Sequence, residues 1–404
     1  MMVGSAQGGF VLAIDDPRVP IRSVYVHIPF CTRRCQYCDF PTFRYTLQRE
    51  ATYLDALVAE WRLWRQQVVF GPLETVFWGG GTPSRLSDAG LAHALECFRD
   101  HFELGDNVEW SVECNPESLT AEKATLLAQA GVNRLSIGAQ CFDDARLASL
   151  GRTHTANQIR QAVEHARHAG IENLNLDLIC ALPGETPDEL EQDLQQALAL
   201  QPTHLSVYTL IVEEGTVLKR KKERGEWEPL SEDEEADQYL LVCQRLSEAG
   251  FQQYEISNFS RPGFACRHNL RYWENGSYVG TGLGASGSLP GRRTYNLTRL
   301  QPYLDRVANG CLPIDHEDRI SWASEAEESV LLGLRTVAGV SAEAFRRRFG
   351  VSLQELFQRP IAEMSAVGLL QADTAGIRLT DRGRLLGNEV FAAFLDAATE
   401  PSVR

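Results

Sequence analysis

No run of about eighteen apolar residues, the length a spanning helix needs, occurs in this chain of 404 residues. Its start does not pair a basic segment with a continuous apolar one, so no secretory leader is expected and the expected location is the cytoplasm. Positive charge is scarce. Lys and Arg number 39 against 54 Asp and Glu, a formal net charge of −15. That balance excludes a protein that holds nucleic acid by bulk electrostatics, because a phosphate lattice selects basic surfaces. Ten cysteines are too sparse for a disulfide scaffold in a chain of this length. Internal repeats and low-complexity tracts are missing as well.

What is present is an ordinary soluble composition, 44% hydrophobic, enough for a core domain and a smaller partner. From Val24 to about Tyr208, short β-rich runs alternate with segments of helical periodicity. The strands are expected at 24–28, 75–78, 109–113, 134–137, 174–179 and 204–209, and helices at 51–66, 88–102, 120–130, 156–169 and 187–200. Ser87 and Thr186, the latter before Pro187, are expected helix starts. Six βα units predict an α/β fold, a partial (β/α)6 barrel, with a doubly wound sheet as the competing arrangement. In both, chemistry belongs at the carboxyl ends of the strands. The division expected is an extension over 1–22, the barrel over 23–317, and a mostly helical, winged-helix-like unit over 318–404. For that last unit, packing against the barrel is favoured over DNA binding.

Three of the cysteines stand apart. The stretch VYVHIPFCTRRCQYCDF sets Cys31, Cys35 and Cys38 in a C-x3-C-x2-C array, while the other seven are scattered and expected to be small buried residues. Three thiolates from one loop can each hold one iron of a 4Fe-4S cluster and leave the fourth iron open. A structural zinc would need a fourth protein ligand. His27 is the one nearby candidate, and its place in a strand favours a supporting role. WGGGTP follows the second strand, where bare backbone at Gly79, Gly80 and Gly81 allows a ligand to approach closely. Glu113 ends the third strand, and a carboxylate there can accept from hydroxyl or amine groups.

The cysteine array, with Tyr37 before its last member, resembles the defining motif of the radical S-adenosylmethionine (radical SAM) enzymes. That resemblance implies a 4Fe-4S cluster on Cys31, Cys35 and Cys38. The methionine end of SAM chelates the open iron, and an electron from the cluster splits the sulfonium to a 5′-deoxyadenosyl radical. The fuller string from YVHIPFC to CDF is similar to one branch, the oxygen-independent coproporphyrinogen III oxidases and the related radical SAM heme chaperones. By residue, the resemblance implies SAM contacts at Tyr25, Tyr37, Gly80, Gly81, Thr82, Glu113, Gln140, Arg152 and Asp177, and a backbone contact at Ile211. Arginine suits the methionine carboxylate through its bidentate fork.

Within the branch, the decarboxylating oxidases carry a fourth cysteine two residues after the third; here Phe40 stands there. The chain also has only about two dozen residues ahead of the first strand, shorter than the oxidases' substrate-covering arm. RHNLRYWENGSYVGTGLGASG places His268, Asn269, Tyr272 and Trp273 as an H-N-x-x-Y-W string that resembles the heme-handling segment of the chaperones. Imidazole is a good iron ligand and the aromatics offer flat faces to a porphyrin, so His268 is expected as ligand or pocket wall. YEISNFS, just before, is expected to support this segment. The glycine-rich end, GTGLGASG, lacks the βαβ setting of a nucleotide fingerprint and is expected as a turn over the barrel mouth.

The expected function is therefore a heme chaperone delivering heme to acceptor proteins, respiratory-chain proteins among them, with transient visits to the membrane surface. A flavodoxin or ferredoxin would donate electrons if SAM is cleaved. The competing expectation is coproporphyrinogen III oxidation to protoporphyrinogen IX.

Overall fold

The computed structural model describes residues 19–398, so most of the expected 1–22 extension lies outside the described residues. Alternation along the strands builds the barrel. In β1 (Ile21–Ile28), Val24, Val26 and Ile28 are buried in the main core, while Ser23, Tyr25 and His27 take the other face. The same two-residue period recurs in β2 (Phe70–Gly80), β3 (Leu104–Cys114), β4 (Arg134–Gln140), β5 (Asn173–Cys180) and β6 (His204–Thr209). Trp78, Trp110, Ile137, Leu176 and Val207 join the helix-covered core; Thr75, Glu109, Ser111, Arg134, Asn175 and His204 are among the buried polar residues of the opposite face.

Between consecutive strands run α1 (Leu47–Gln67), α2 (Asp88–His101), α3 (Ala121–Ala130), α4 (Ala156–His168) and α5 (Pro187–Ala199). Ser87 and Thr186 are the N-caps expected: Ser87 accepts from the Gly90 N–H, and Thr186 forms a reciprocal capping box with Glu189. Of the seven scattered cysteines, Cys114, Cys141, Cys180 and Cys266 are buried.

Three further strands extend the six. β7 (Gln252–Glu255), preceded by α6 (Glu232–Glu248), and β8 (Asn258–Ser260) add antiparallel strands beside β6. β9 (Val279–Thr281) pairs parallel with β1. The sheet order is β9-β1-β2-β3-β4-β5-β6-β8-β7, parallel from β9 through β6. The expectation of a turn over 280–287 thus needs correction, since its first residues are strand. Gly280 permits it, because a Cβ there would lie 2.0 Å from the Ser286 carbonyl oxygen. The turn proper comes at Gly282 and Gly284, at φ of +95° and +72°.

The helix α7 (Arg267–Trp273) carries the H-N-x-x-Y-W string. Beyond Ile314–Arg319, which closes a three-stranded antiparallel sheet with 286–289 and 292–296, the chain becomes mostly helical. Helices Trp322–Gly333, Ala342–Phe349, Gln358–Ala366 and Gly387–Phe394 surround a small antiparallel ribbon, Leu370–Ala372 with Gly376–Leu379. This unit has its own core, from Ala326 and Val330 through Phe345 and Phe357 to Phe394. Arg348 binds it to the end of α7, donating to the Glu274 and Asn275 carbonyls at 3.1 and 2.9 Å and pairing with Glu325 at 2.7 Å.

Candidate cofactor site

The cysteine loop leaves the carboxyl end of β1 and is fixed by its backbone. Gln36 N–H donates to the Leu150 carbonyl at 2.9 Å, and the Leu218 N–H donates to the Gln36 carbonyl at 2.8 Å. Gly151, at φ +81°, would bring a Cβ to 3.2 Å from Gln36, so the loop seats against a glycine turn. Arg152 follows directly. Its guanidinium reaches the Cys35 sulfur at 3.5 Å, the Asn115 side-chain oxygen at 2.8 Å and the Gly138 carbonyl at 2.9 Å. Burial pushes the Cys31 thiol up to about 11, while the Thr82 hydroxyl, 3.9 Å away, acts in the opposite direction.

Among the described residues, no three His, Cys, Asp or Glu side chains converge on one ion position. A single zinc needs that convergence; a cubane takes one thiolate on each of three separate irons. Cys31, Cys35 and Cys38 lie on one loop at the barrel rim, a donor set that fits a cubane with one thiolate on each of three irons.

Next to the loop, the glycines of β2 form a cradle that side chains would fill. A Cβ on Gly79 would lie 2.9 Å from the Glu113 carboxylate, one on Gly80 2.5 Å from the His27 ring, and one on Gly81 2.8 Å from the Phe30 nitrogen. Glu113 accepts from the Gly80 N–H at 3.1 Å. Its carboxyl is pushed up to about 8 by burial and then by the charge of Asp177, against the pull of the Gly80 N–H and Arg134. Asp177 is raised by burial too, although it accepts from Asn175 at 2.7 Å and Ser136 at 3.1 Å. Half-buried carboxyls of raised pKa at a strand rim suit a ligand that brings donors or positive charge.

Gln140 ends β4 at φ +68°, in the left-handed region where a non-glycine residue is strained. That conformation puts its amide nitrogen 2.9 Å from where a Gly138 Cβ would be, close to Arg152. Tyr25 stacks on Phe77 and shares a hydrogen bond of 3.1 Å with His27 Nδ1. The other ring nitrogen of His27 is buried with no partner. A cavity of about 240 Å³ brings Tyr25, Gly80, Glu113, Phe40, Tyr272 and Tyr278 together. Tyr37 packs on the Cys141, Leu147, Leu150 and Leu182 cluster, near Arg152 and Cys35. Ile211 lies past the end of β6 and is 67% exposed. Asn115 was not singled out in the sequence. It bridges Arg152 and the Thr82 hydroxyl, the latter at 3.2 Å, and its place two residues beyond Glu113 was the available signal.

The H-N-x-x-Y-W string does not act as one surface. His268 is completely buried deep in the lumen, stacked on Phe77. Its Nδ1 meets Thr75 at 2.8 Å and its Nε2 meets the Tyr272 hydroxyl at 2.9 Å. Glu109 caps the helix start, accepting from the Arg267 and His268 N–H groups at 2.9 and 3.0 Å. Burial lowers the imidazole to about 3, so it is neutral. With both nitrogens engaged, His268 braces Tyr272 from behind. Asn269 lies beside Tyr254. Trp273 points the other way, into a cavity of about 750 Å³ shared with Phe345 and Phe349 of the carboxyl-terminal unit.

Among the described residues no helix is long and apolar enough to cross a membrane. Residues 25–197 match the Radical SAM superfamily model and residues 321–386 the HemN C-terminal domain model. A radical SAM domain implies a 4Fe-4S cluster and SAM. Among solved structures, the coproporphyrinogen III oxidase HemN of Escherichia coli, described as a radical SAM enzyme, superposes at a TM-score of 0.82 over 94% of this chain and 91% of its own, at 24% identity; this establishes the shared fold. The protein named heme chaperone HemW of Bacillus subtilis is 39% identical over 376 residues, covering 93% of this chain and 99% of that relative. The protein of the same name from Mycobacterium tuberculosis H37Rv is 38% identical over 92% of this chain and 94% of its own length. Likeness at that level over nearly the whole length of both chains means that this chain belongs to the HemW family of radical SAM proteins.

Proposed function

We propose that the chain binds heme and delivers it to acceptor proteins, using a barrel built for a SAM-coordinated 4Fe-4S cluster. The observation that carries this reading is full-length likeness to relatives named heme chaperones, joined to Phe40 in the position where the oxidases show a cysteine. Cys31, Cys35 and Cys38 would hold the cluster. When bound, the cluster offers an open iron to the methionine end of SAM and an electron for its sulfonium. Around it, Gly80, Gly81 and Thr82 leave backbone for an ammonium group, Arg152 suits the carboxylate, and Glu113, Gln140, Asp177, Tyr25, Tyr37 and the Ile211 backbone supply the remaining contacts. His268, Asn269, Tyr272 and Trp273 serve heme, Tyr272 from the barrel cavity, Trp273 from the cavity beside the carboxyl-terminal unit, and His268 as iron ligand or as the brace behind Tyr272. The division at 318 and work in the cytoplasm, with respiratory-chain acceptors met at the membrane surface, belong to the same proposal.

The test is anaerobic. With the cluster reconstituted, coproporphyrinogen III conversion is assayed with SAM and an electron donor, beside a heme titration followed by absorption. Stoichiometric heme uptake without turnover is expected; robust protoporphyrinogen formation would replace this reading with the oxidase.

A further inference from the structure

The helix α7 divides two cavities. His268 and Tyr272, four residues apart, share the face toward the barrel, whereas Leu270 and Trp273, three apart, share the face toward the carboxyl-terminal unit. That second face does not meet its neighbour flush. Between them lies the space of about 750 Å³, walled by Leu270 and Trp273 on one side and by Val337, Val340, Phe345 and Phe349 on the other. The barrel cavity that Tyr272 lines is about 240 Å³. Arg348, exposed, lines the larger space beside its one carboxylate, Glu274. Arg335 stacks over the Trp273 ring at 4.8 Å. The indole Nε1 and the Arg335 Nε are both buried without an acceptor. A buried N–H in that state is costly, so these two donors call for an acceptor from outside the chain.

We propose that heme is clamped in this space, between α7 and the carboxyl-terminal unit, so that the part matched by the HemN C-terminal domain model supplies half of the cargo site. The inference rests on the heme-chaperone reading and narrows it to one of the two cavities. Size decides first. A porphyrin with its side chains is at least drug-sized, and such ligands are buried in spaces of about 300–1,000 Å³, a range that admits the inter-unit cavity and leaves out the barrel one. Chemistry agrees. The macrocycle has two flat apolar faces for the indole, the two phenylalanines and the aliphatic wall to cover. Its propionates are carboxylates, the acceptors that the Trp273 and Arg335 N–H groups lack, with the Arg348 guanidinium at the edge. Among the described residues lining the space there is no His, Cys or Met, and the Tyr254 hydroxyl is taken by His204 at 2.9 Å. The site therefore holds the porphyrin by its faces and propionates, and His268 acts from the far side of α7 as the brace behind Tyr272. Cargo held in this way leaves when the two units part, with no iron–protein bond to break.

The experiment titrates hemin into the full chain and follows the Soret band. Two variants each place an indole at an exposed lining position: Ala344→Trp fills the inter-unit cavity and Ser286→Trp the barrel cavity. Ala344→Trp should bind heme about tenfold or more weakly, and Ser286→Trp should stay within about twofold of wild type. Trp273→Phe, which keeps an apolar wall and loses the N–H, should bind several-fold more weakly and carries the test should Ala344→Trp not fold. Limited proteolysis reads the clamp separately: bound heme should slow cutting between the units, near residue 320, in the wild type and not in Ala344→Trp. Wild-type heme affinity in Ala344→Trp or in Trp273→Phe overturns the proposal. So does a loss in Ser286→Trp as large as that in Ala344→Trp, which would move heme to the barrel mouth, and so does cutting that heme leaves unchanged in the wild type. A wild type that takes up no heme overturns the chaperone reading, and the clamp with it.

Discussion

Glu113 and Gly80 meet across neighbouring parallel strands: the carboxylate at the end of β3 accepts the N–H at the end of β2, at 3.1 Å. The contact exists because Gly79 lacks a side chain, since a Cβ there would lie 2.9 Å from that same carboxylate. One glycine thus admits the acid to the rim, and the next one fixes it.

The first prediction concerns this acid. Its folded pKa is raised to about 8, whereas an unfolded glutamate titrates near about 4.3. Between those values the folded chain holds the extra proton, so this group's contribution to stability falls as pH rises, by at most about 1.4 kcal/mol per unit. Glu113→Gln removes that slope. In thermal melts without SAM, the variant should gain on the wild type from pH 5 to pH 8. A gap independent of pH would mean that the carboxyl titrates normally.

The second concerns Gly81. A Cβ there would lie 2.8 Å from the Phe30 nitrogen and from the Pro29 carbonyl carbon, both backbone atoms beside the cysteine loop. Gly81→Ala should cost about 1–3 kcal/mol in denaturant unfolding. SAM affinity by equilibrium dialysis should fall with it, since β2 and the loop must move apart. Wild-type stability and affinity in the variant would refute the close packing.

The third concerns His268. His268→Ala takes the imidazole from the Tyr272 hydroxyl, leaves Thr75 only its bond to Ser23 and opens a cavity, at an expected cost of about 2–4 kcal/mol. The wild-type imidazole is lowered to about 3, against about 6.5 when unfolded. The unfolded chain therefore takes up a proton first as pH falls below about 6.5, and the wild type alone loses that stability. The gap between the two proteins should narrow from pH 6.5 to pH 4. Iron ligation by His268 would show as lost axial-ligand bands in the heme spectrum of the variant; a wall predicts weaker binding with those bands kept.

The fourth concerns the junction of the two units. Arg348→Ala deletes the contacts to the Glu274 and Asn275 carbonyls and to Glu325. With a half-exposed guanidinium the stability cost should be near 1 kcal/mol. Limited proteolysis should report it more strongly, by faster cutting near residue 320. Unchanged cutting would mean that the two units are held by other contacts, such as Arg335 stacked 4.8 Å over the Trp273 ring.

The six parallel strands were legible because each has a buried apolar face and ends at a loop, and the carboxyl-end rule then gathered Cys31, Gly80, Glu113, Gln140 and Asp177 on one rim. β9 was not legible: Val279–Thr281 is too short to show a period, and its glycines carry a turn signal that the packing of the Ser286 carbonyl against Gly280 overrides. The burial of His268 was hidden for a different reason. Its cap, Glu109, lies 159 residues earlier in the chain. The split of the string was implicit in helical geometry, since His268 and Tyr272 are four apart and share a face, while Trp273 is turned about 140° from His268.

The pairing of β9 with β1 also sets an order of events during synthesis. The strand that carries the cysteine loop has β2 on one side from early on, yet its other edge is covered only by Val24–Val26 meeting Val279–Thr281. A chain still emerging from the ribosome presents that edge, with unpaired backbone groups, until residue 281 is free to fold. Tyr53 adds to the delay, for its hydroxyl joins the His27 carbonyl to the Leu283 N–H. The strand that carries the cysteine loop is therefore among the last parts of the barrel to be completed, some 256 residues after it is made.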